Sequence, residues 1–333
     1  MKRNDMRVYV VLPALKKTGG TELGHQLVEI FNTEDIEAQV AYIGVKKGVC
    51  PLPDAFKEYV STYEDYRNIK DEENTIVIFS EIYLNKIDDF KKAKRIVWWM
   101  SVDNCESQMN VLDCLKSSGL IQTLKWIIKG NFIVKKQKYL ADLHLYQSEY
   151  ARLFLQKQGL KNVLPLSDYI NDSFFLSEQK FKKENIALYN PRKGINITKK
   201  IISATSDIKW VPLQNLTTKE VGELLRKGKL YIDFGHHPGK DRFPREAVTC
   251  GCCVITGRKG AANNSEDIPI PQKYKFQDNL SDISDLKKMI HLCIEDYDKC
   301  YPDFDSYRNK IKSEKETFYS ESLKLIEYLE KEY

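Results

Sequence analysis

The sequence has no long hydrophobic run, no large excess of charge of one sign and no recognisable secretory signal. Among its 333 residues Lys and Arg number 52 and Asp and Glu number 47, which leaves a net charge of +5. The longest apolar stretch near the start, 8–15, contains Pro13 and runs into Lys16 and Lys17. A spanning helix needs roughly 18 apolar residues, and a signal peptide ends at a small-residue cleavage site. We therefore expect neither, and the weak, spread charge gives no reason to expect nucleic acid as a partner.

Cysteine is present, but not in a pattern that predicts disulfides or a metal site. Eight cysteines in a chain without a secretory signal indicate reduced thiols and a cytoplasmic protein. Cys250, Cys252 and Cys253 have no His/Cys pair at metal-ligand spacing nearby. The adjacent His236 and His237 cannot both face one ion. The sequence predicts no bound metal.

Short apolar runs rich in Val, Ile, Trp and Tyr alternate with longer helical patterns along the chain. Such runs are typical of parallel strands buried on both faces. In the first half they are 8–12, 38–45, 75–79, 95–100 and 143–147. In the second half they are 186–189, 209–213, 230–234 and 253–256.

Helical patterning between these runs completes the prediction of the fold. After the first strand, apolar residues recur at i, i+4, i+7 and i+8, namely Leu23, Leu27, Ile30 and Phe31. Thr217 and Glu220 form a capping-box pair at the start of a second helix. The alternation predicts an α/β chain with two doubly wound parallel-sheet domains, joined near 167–184. We assign 1–170 to the first domain, 171–312 to the second, and 313–333 to a terminal helix that packs back on the first.

Glycines mark the turn between the first strand and its helix. Gly19 and Gly20, followed by Thr21, let the backbone approach a ligand closely, and the free N–H groups of a helix start favour an anion. The run is neither a dinucleotide fingerprint nor a Walker P-loop, and a tight turn without a ligand explains it equally well. His25 lies one turn into the helix, where it either faces the same crevice or packs inside the domain.

Two polar loops follow predicted strands in the second half. Arg192 and Lys193 come after 186–189, at the carboxyl end of a strand, where open α/β sheets bind ligands. Arg offers a fork matched to phosphate and Lys a point charge. After 230–234, Pro244 is expected to start a short helix that ends at Gly251. Glu246 is then a first-turn carboxylate that either contacts sugar hydroxyls or compensates the helix dipole.

At this point the sequence resembles the GT-B glycosyltransferases, particularly the large family that makes bacterial surface polysaccharides. The resemblance covers nearly the whole chain. The segments that carry the resemblance are, in chain order, 18–22 (TGGTE), 148–150, 164–166, 168–170, 192–194 (RKG) and 243–251 (FPREAVTCG). It implies two Rossmann-like domains with a cleft between them, a nucleotide-sugar donor bound by the second and an acceptor bound by the first.

The resemblance also implies roles for individual residues. Arg192 and Lys193 would hold the donor diphosphate, Glu246 the ribose, and the glycine-loop amides the phosphates. Arg242 and Phe243, beside the acidic helix, complete the expected donor-binding set. The nucleotide sugar is a substrate, so we expect no cofactor. The family's second glutamate, eight residues before Glu246, is Pro238 here, so that Asp241 or His236 stands in for it. Donor sugar and stereochemical outcome are left open.

Two carboxylates of the first half are candidates for the general base that an acceptor hydroxyl needs. Asp103 follows the strand 95–100, and Glu81 follows 75–79. Asp103 with Asn104 is equally a turn signal. Glu81, Asp103 and His25 are the candidate catalytic residues.

The sequence thus predicts a metal-independent hexosyl or deoxyhexosyl transferase acting on a glycan or lipid-linked acceptor in cell-surface polysaccharide biosynthesis. The basic and apolar segment 125–139 is either a peripheral contact with the inner face of the membrane or a solvated loop. Two alternatives are kept. One is a nucleotide-sugar 2-epimerase on the same fold, which needs no acceptor. The other is a non-catalytic glycosyltransferase-like subunit, suggested by Pro238.

Overall fold

A computed structural model describes residues 5–109, 111–129, 136–175 and 181–332 of the chain. These residues divide into two compact units. The first ends at Asp168 and resumes at Glu316, and the second is Tyr169–Lys315. Within the described ranges, no helix combines the length with the apolar character that crossing a membrane requires.

The first unit is built on seven parallel strands in the order β3-β2-β1-β4-β5-β6-β7. The chain proceeds from β1 to β2 and β3 on one side, then resumes at β4 on the other. The switch point of the sheet, where such folds bind ligands, therefore lies between β1 and β4. The strands are β1 Arg7–Pro13, β2 Glu37–Ile43, β3 Tyr63–Asp65, β4 Thr75–Ser80, β5 Lys94–Trp99, β6 Leu143–Tyr146 and β7 Val163–Pro165.

Helices cover the central strands of this sheet because those strands are apolar on both faces. Every residue of β4 is buried. In α1 (Gly19–Thr33), the buried stripe includes Leu23, Leu27 and Phe31, as the spacing predicts. Near the end of the chain, the Phe318 ring stacks on Trp98, with centroids 6.2 Å apart. The other helices are α2 Val102–Met109, α3 Val111–Lys129, α4 Glu149–Lys157 and α11 Glu314–Glu332, of which the part from Glu316 belongs to this unit.

The second unit repeats the scheme on four parallel strands in the order β11-β10-β8-β9. Its switch point lies between β8 and β10. The strands are β8 Glu184–Tyr189, β9 Lys209–Pro212, β10 Gly228–Asp233 and β11 Cys253–Thr256. The helices are α5 Ile195–Ala204, α6 Thr218–Lys227, α7 Arg242–Thr249, α8 Ile283–Glu295, α9 Tyr297–Cys300 and α10 Asp305–Lys312.

Short 3-10 turns connect many of these elements. They are Asp54–Phe56, Tyr66–Asn68, Glu81–Asp89, Gln137–Leu140, Asp172–Phe174, Gly260–Asn263, Gln272–Tyr274 and Tyr301–Phe304.

All nine strands predicted from the apolar runs are confirmed, with ends within two residues of the prediction. The capping box of Thr217 and Glu220 is confirmed as well, since each side chain bonds the other residue's backbone N–H. The apolar runs do not predict β3 and β7, which have three residues each and form the two edges of the first sheet. Strands that short carry too few apolar residues to show an alternation.

One expectation for the first unit needs correction, and parts of two predicted segments lie outside the described residues. The alternative interpretation of Asp103 and Asn104 as a turn is wrong, because both residues belong to the helix α2. Their side chains suit the start of a helix as well as a turn. In the basic segment 125–139, residues 130–135 lie outside the described ranges, as do 176–180 in the predicted join.

Candidate active site

Two loops flank the switch point of the second sheet, and two glycines let them pack together. The loop after β8 runs through Arg192 and Lys193 to Gly194, which caps α5 with a φ of 55°. A Cβ atom at Gly194 would lie 2.4 Å from the carbonyl oxygen of Phe234, and one at Gly235 would lie 2.4 Å from Cβ of Lys193. Because neither position has room for a side chain, the two glycines bring the Lys193 loop against the loop that follows β10.

Lys193 takes part in a network of charged side chains between these loops. Its Nζ donates to Oδ2 of Asp241 at 2.5 Å, and Nδ1 of His237 lies 2.7 Å from the same oxygen. Nε2 of His237 lies 3.5 Å from Oδ1 of Asp233, which also accepts from the N–H of Gly235. The network therefore ties the end of β10 to the N-cap of α7 and to the Lys193 loop.

The charges of this network support one another. Burial alone lowers the pKa of His237, but the carboxylates of Asp233 and Asp241 outweigh burial and raise that pKa above its usual value. Burial alone raises the pKa of Asp241, and the neighbouring His237 and Lys193 reverse the effect and lower it to about 2. Each carboxylate therefore favours the charged form of its cationic neighbour.

Three residues of this network could in principle hold a metal ion. Asp233, His237 and Asp241 offer ligand atoms within 4.8 Å of one another, the only such group among the described residues. However, the Lys193 ammonium lies on Asp241, and the raised pKa of His237 favours a protonated ring, which cannot bind a metal. The residues present fit an ion-pair network, not a resident cation.

Glu246 is buried in the second turn of α7. The helix begins at Arg242 with Asp241 as its N-cap, so the predicted start at Pro244 is wrong, and so is the first-turn position of Glu246. The reason is that proline fits any of the first positions of a helix, where the N–H groups have no intrahelical partner. The Glu246 side chain is 8% exposed.

The remaining residues of the predicted donor set differ in exposure. Arg192 and His236 are exposed, and Arg242 is half-buried. The ring of Phe243 stacks on the fully buried Tyr231, with centroids 6.0 Å apart, and so belongs to the packing of α7 on β10.

A buried ion pair fixes the other side of α7. Nη1 of Arg245, whose side chain is fully buried, donates to Oε2 of Glu314 at 2.8 Å. The ammonium of Lys240 lies 2.8 Å from the second carboxylate oxygen of Glu314. Arg245 also donates to the carbonyl of Asp241 through Nε at 3.2 Å. The loop that carries His237 and Asp241 is therefore anchored at both ends.

In the first unit, the predicted glycine loop forms the N-terminus of α1. Thr18 is the N-cap and forms a capping box with Thr21, whose hydroxyl also donates to the carbonyl of Lys16 at 3.1 Å. Gly19 and Gly20 occupy the first two helical positions. The loop follows β1, so it lies at the switch point of the first sheet.

His25 is a buried structural residue. Its Nδ1 donates to the carbonyl of Thr21 at 2.6 Å, and its Nε2 therefore accepts from the hydroxyl of Tyr42, also at 2.6 Å. Burial lowers the pKa of His25 to about 4, so the ring is neutral near pH 7. Both nitrogens are engaged inside the unit, which argues against a catalytic role.

Glu81 lies directly after β4, on the other side of the same switch point. It is 2% exposed, and its Oε2 accepts from the N–H of Met100 at 3.0 Å. Burial raises the pKa of Glu81 to about 7, although the backbone N–H groups of Met100 and Ser101 lower it in part. A carboxyl group with a pKa near neutrality suits general acid–base chemistry.

Asp103 lies in the first turn of α2, two residues beyond the backbone that bonds Glu81. Its Oδ1 accepts from the hydroxyl of Tyr150 at 2.8 Å. The structure thus brings Glu81 and Asp103 to neighbouring positions after β4 and β5, while His25 lies on α1.

Asp233 and His237 belong to the second-unit network, and sequence reasoning missed both. The sequence analysis assigns His236 to the site and not His237, but His236 is exposed and His237 is fully buried. The spacing of four residues from Asp233 to His237 and again to Asp241 was a usable signal, since it places three ionisable groups in one loop after a strand.

No protein-family model matches this sequence, and no curated protein matches it. Solved structures do. The chain is similar to TarM, with a TM-score of 0.64 and 11% identity over 94% of this chain and 98% of TarM. It is similar to a sucrose-phosphate synthase from Thermosynechococcus elongatus, with a TM-score of 0.65 and 10% identity over 97% of this chain and 99% of that one.

A third similar structure is HepE from Anabaena, solved in complex with UDP-glucose. The TM-score is 0.62 and the identity 12%, over 97% of this chain and all of HepE. At identities this low the similarity is evidence for the fold. The two parallel sheets and these neighbours show that the chain has the GT-B fold of glycosyltransferases, as the sequence predicts.

Proposed function

We propose that this protein is a glycosyltransferase that moves a sugar from a nucleotide-sugar donor to a glycan or lipid-linked acceptor in the synthesis of cell-surface polysaccharide. The observation that carries the proposal is the position of Lys193. It lies between the carboxyl end of β8 and the N-terminus of α5, at the switch point of the second sheet of a GT-B fold. A cation and the amides of a helix start are what a diphosphate requires.

The diphosphate site is built from few parts. Lys193 would exchange Asp241 for a phosphate oxygen, and the exposed Arg192 would supply a second charge. Positive groups fixed near the leaving diphosphate stabilise the charge that develops as the glycosidic bond to the donor breaks. Since two side chains can supply that charge, the proposed transfer does not depend on a metal. Glu246 is the group proposed for the ribose hydroxyls.

The acceptor would be activated by a carboxylate of the first unit. Glu81 has the pKa of a base that operates near neutral pH, and Asp103 lies after the adjacent strand. In this scheme one of them takes the proton of the acceptor hydroxyl as its oxygen bonds to the sugar carbon. The contact of Gly19, Gly20 and Thr21 with the donor phosphates remains a prediction from the sequence.

The setting of the reaction is part of the proposal. All eight cysteines are free thiols, which supports a reducing compartment such as the cytoplasm. HepE, which has the same fold, was solved with UDP-glucose, so UDP-sugars are the first donors to try. The acceptor would be a glycan, free or carried by a lipid at the inner face of a membrane.

The test is a thermal-shift panel with UDP, GDP, TDP, CDP and ADP and their common sugar conjugates. A ligand at about 100 times its Kd adds roughly 2.7 kcal/mol of stability, which is readily measured. We expect one nucleotide to stand out. Glu246→Ala and Lys193→Ala should remove its shift, and Glu223→Ala, an exposed glutamate of the same unit, should not.

The reaction products then distinguish a glycosyltransferase from a nucleotide-sugar 2-epimerase. A transferase releases nucleoside diphosphate in proportion to added acceptor, whereas a 2-epimerase releases nucleotide and free sugar without one. A chain that shows no shift with any nucleotide, with acceptor glycan absent or present, would contradict the donor site. The non-catalytic alternative would then stand, with Asp241 as a permanent partner of Lys193.

A further inference from the structure

The helix α3 presents apolar side chains to solvent in place of the usual charged face. Eight of the seventeen exposed large apolar side chains among the described residues lie on it. They are Val111, Leu112, Leu115, Leu120, Ile121, Leu124, Ile127 and Ile128, with exposures of 40–83%. Soluble proteins rarely gather so many exposed apolar side chains in one place unless something binds there.

The pattern of these residues defines one stripe on the helix. Exposed positions in the second half of α3 follow i, i+1, i+4, i+7 and i+8 from Leu120, which covers a single face. Another side of α3 faces the protein, since Thr123 is 3% exposed and Cys114, before the kink, is fully buried. The Thr123 hydroxyl donates to Sγ of Cys114 at 3.3 Å, across the kink at Gly119. In an ordinary surface helix the apolar stripe would face the core.

The charge of the segment favours an anionic partner for the stripe. Residues 114–141 include six lysines and no acidic residue, so the other 305 residues carry a net charge of −1 and this segment accounts for the positive charge of the chain. Lys125 is exposed beside the stripe. Basic residues bordering an apolar helix face are the pattern of a helix that lies in the interface of an anionic bilayer.

We propose that the α3 stripe, defined as the exposed apolar face from Leu120 to Ile128, is a docking surface for an anionic lipid bilayer. The apolar side chains enter the headgroup region, and the exposed Lys125 and Lys136 contact anionic headgroups. A second copy of the chain fits less well, because pairing two such segments would bring like charges together. The proposal is independent of the reaction, since it uses no residue of the donor site.

The test is co-sedimentation of the full-length protein with vesicles of phosphatidylcholine containing roughly one third phosphatidylglycerol, and with phosphatidylcholine alone. We expect binding to the anionic vesicles that weakens as salt rises. Ile121→Ser with Ile128→Ser should lower the partition coefficient at least about tenfold, because both side chains are largely exposed and their apolar burial is lost. Lys125→Glu should lower it about fivefold or more at low salt.

The matched control is Leu153→Ser with Val163→Ser, two exposed apolar residues of the same unit, which should bind vesicles as the wild type does. Equal loss in the control, or no binding of the wild type to anionic vesicles, overturns the proposal. So does a dimer seen by light scattering that the stripe variant abolishes while vesicles have no effect. The nucleotide-induced thermal shift should be unchanged in the stripe variant, so failure of the proposed function and failure of docking give different results.

Discussion

The ammonium of Lys193 and the carboxylate of Asp241, 48 residues apart in the chain, are 2.5 Å apart in the structure. His237 contacts the same carboxylate. The lysine that the proposed function assigns to the diphosphate thus already has an anionic partner. A bound diphosphate would have to compete with Asp241 for that lysine.

The first prediction concerns this competition. Asp241→Asn removes the competing charge, so we expect binding of the selected nucleoside diphosphate to tighten by roughly tenfold. Lys193→Ala should weaken it by about tenfold or more, the cost of a charge-assisted hydrogen bond. Isothermal titration measures both changes. Lys273→Ala, which breaks the comparable pair with Asp303, is the control and should leave the affinity unchanged.

A different result with Asp241→Asn would reassign the residue. If the nucleoside diphosphate binds as before and only the nucleotide sugar binds more weakly, Asp241 contacts the donor sugar and is not the resting partner of Lys193. That outcome would fit the role that the sequence suggested for it in place of the glutamate missing at Pro238.

Much of the fold can be predicted from the sequence because it depends on local interactions. Thr217 and Glu220 are three residues apart and satisfy each other's backbone, so their spacing alone predicts the cap. The apolar runs predict the strands because a parallel strand is buried on both faces. The register of β1 with β2, by contrast, depends on contacts across about thirty residues, which no local pattern specifies.

The candidate site is harder to predict from the sequence than the fold, because its contacts join residues that are far apart in the chain. Arg245 and Glu314 are separated by 69 positions, and the sequence shows each only as a charged residue on a helix. His236 and His237 differ by one position, and only the path of the loop decides which one is buried. For the same reason the pKa of Glu81 could not be predicted, since it depends on burial after β4.

The second prediction is a pH dependence of stability that comes from His237. Its pKa is raised in the folded protein, so the folded state binds the proton more tightly than the unfolded state does. The resulting stability is fully present below the unfolded pKa of about 6.5, and it is lost as the pH rises through the folded pKa. Urea denaturation of the wild type and His237→Gln between about pH 6 and 9 should show a larger fall in unfolding free energy for the wild type than for the variant. Parallel curves for the two proteins would contradict the raised pKa.

The third prediction concerns the cost of keeping Glu81 buried. With a pKa of about 7 in the folded state, against about 4.5 when unfolded, the free energy of unfolding should fall by about 3 kcal/mol as the pH rises from 4.5 to 7. Glu81→Gln mimics the protonated form and should remove this slope, which makes the variant more stable than the wild type above pH 7. Urea denaturation at pH 5 and pH 7.5 measures the difference.

Activity measurements on the same variant test the role of Glu81. If it is the base, Glu81→Gln should bind the nucleotide normally and lose about 100-fold or more in kcat. A variant that is more stable yet inactive would show that the carboxylate is retained for chemistry. Full activity in Glu81→Gln, with loss in Asp103→Asn, would move the role of base to Asp103. Tyr150→Phe, which removes the hydrogen bond to Asp103, provides a milder comparison.

The fourth prediction concerns the buried pair of Arg245 and Glu314. Glu314→Gln leaves a fully buried guanidinium without its anion, so we expect the second unit to lose about 3–5 kcal/mol of stability. Arg245→Met and Lys240→Met combined with Glu314→Leu remove all three charges of the cluster and should recover much of that loss, since apolar groups of similar size replace such pairs well. Asp285→Asn, which breaks the exposed pair with Lys288, should cost no more than about 1 kcal/mol. If Glu314→Gln is as mild as this surface control, the pair does not hold α7 in place, and the Lys193 network must be fixed by the packing of its two glycines alone.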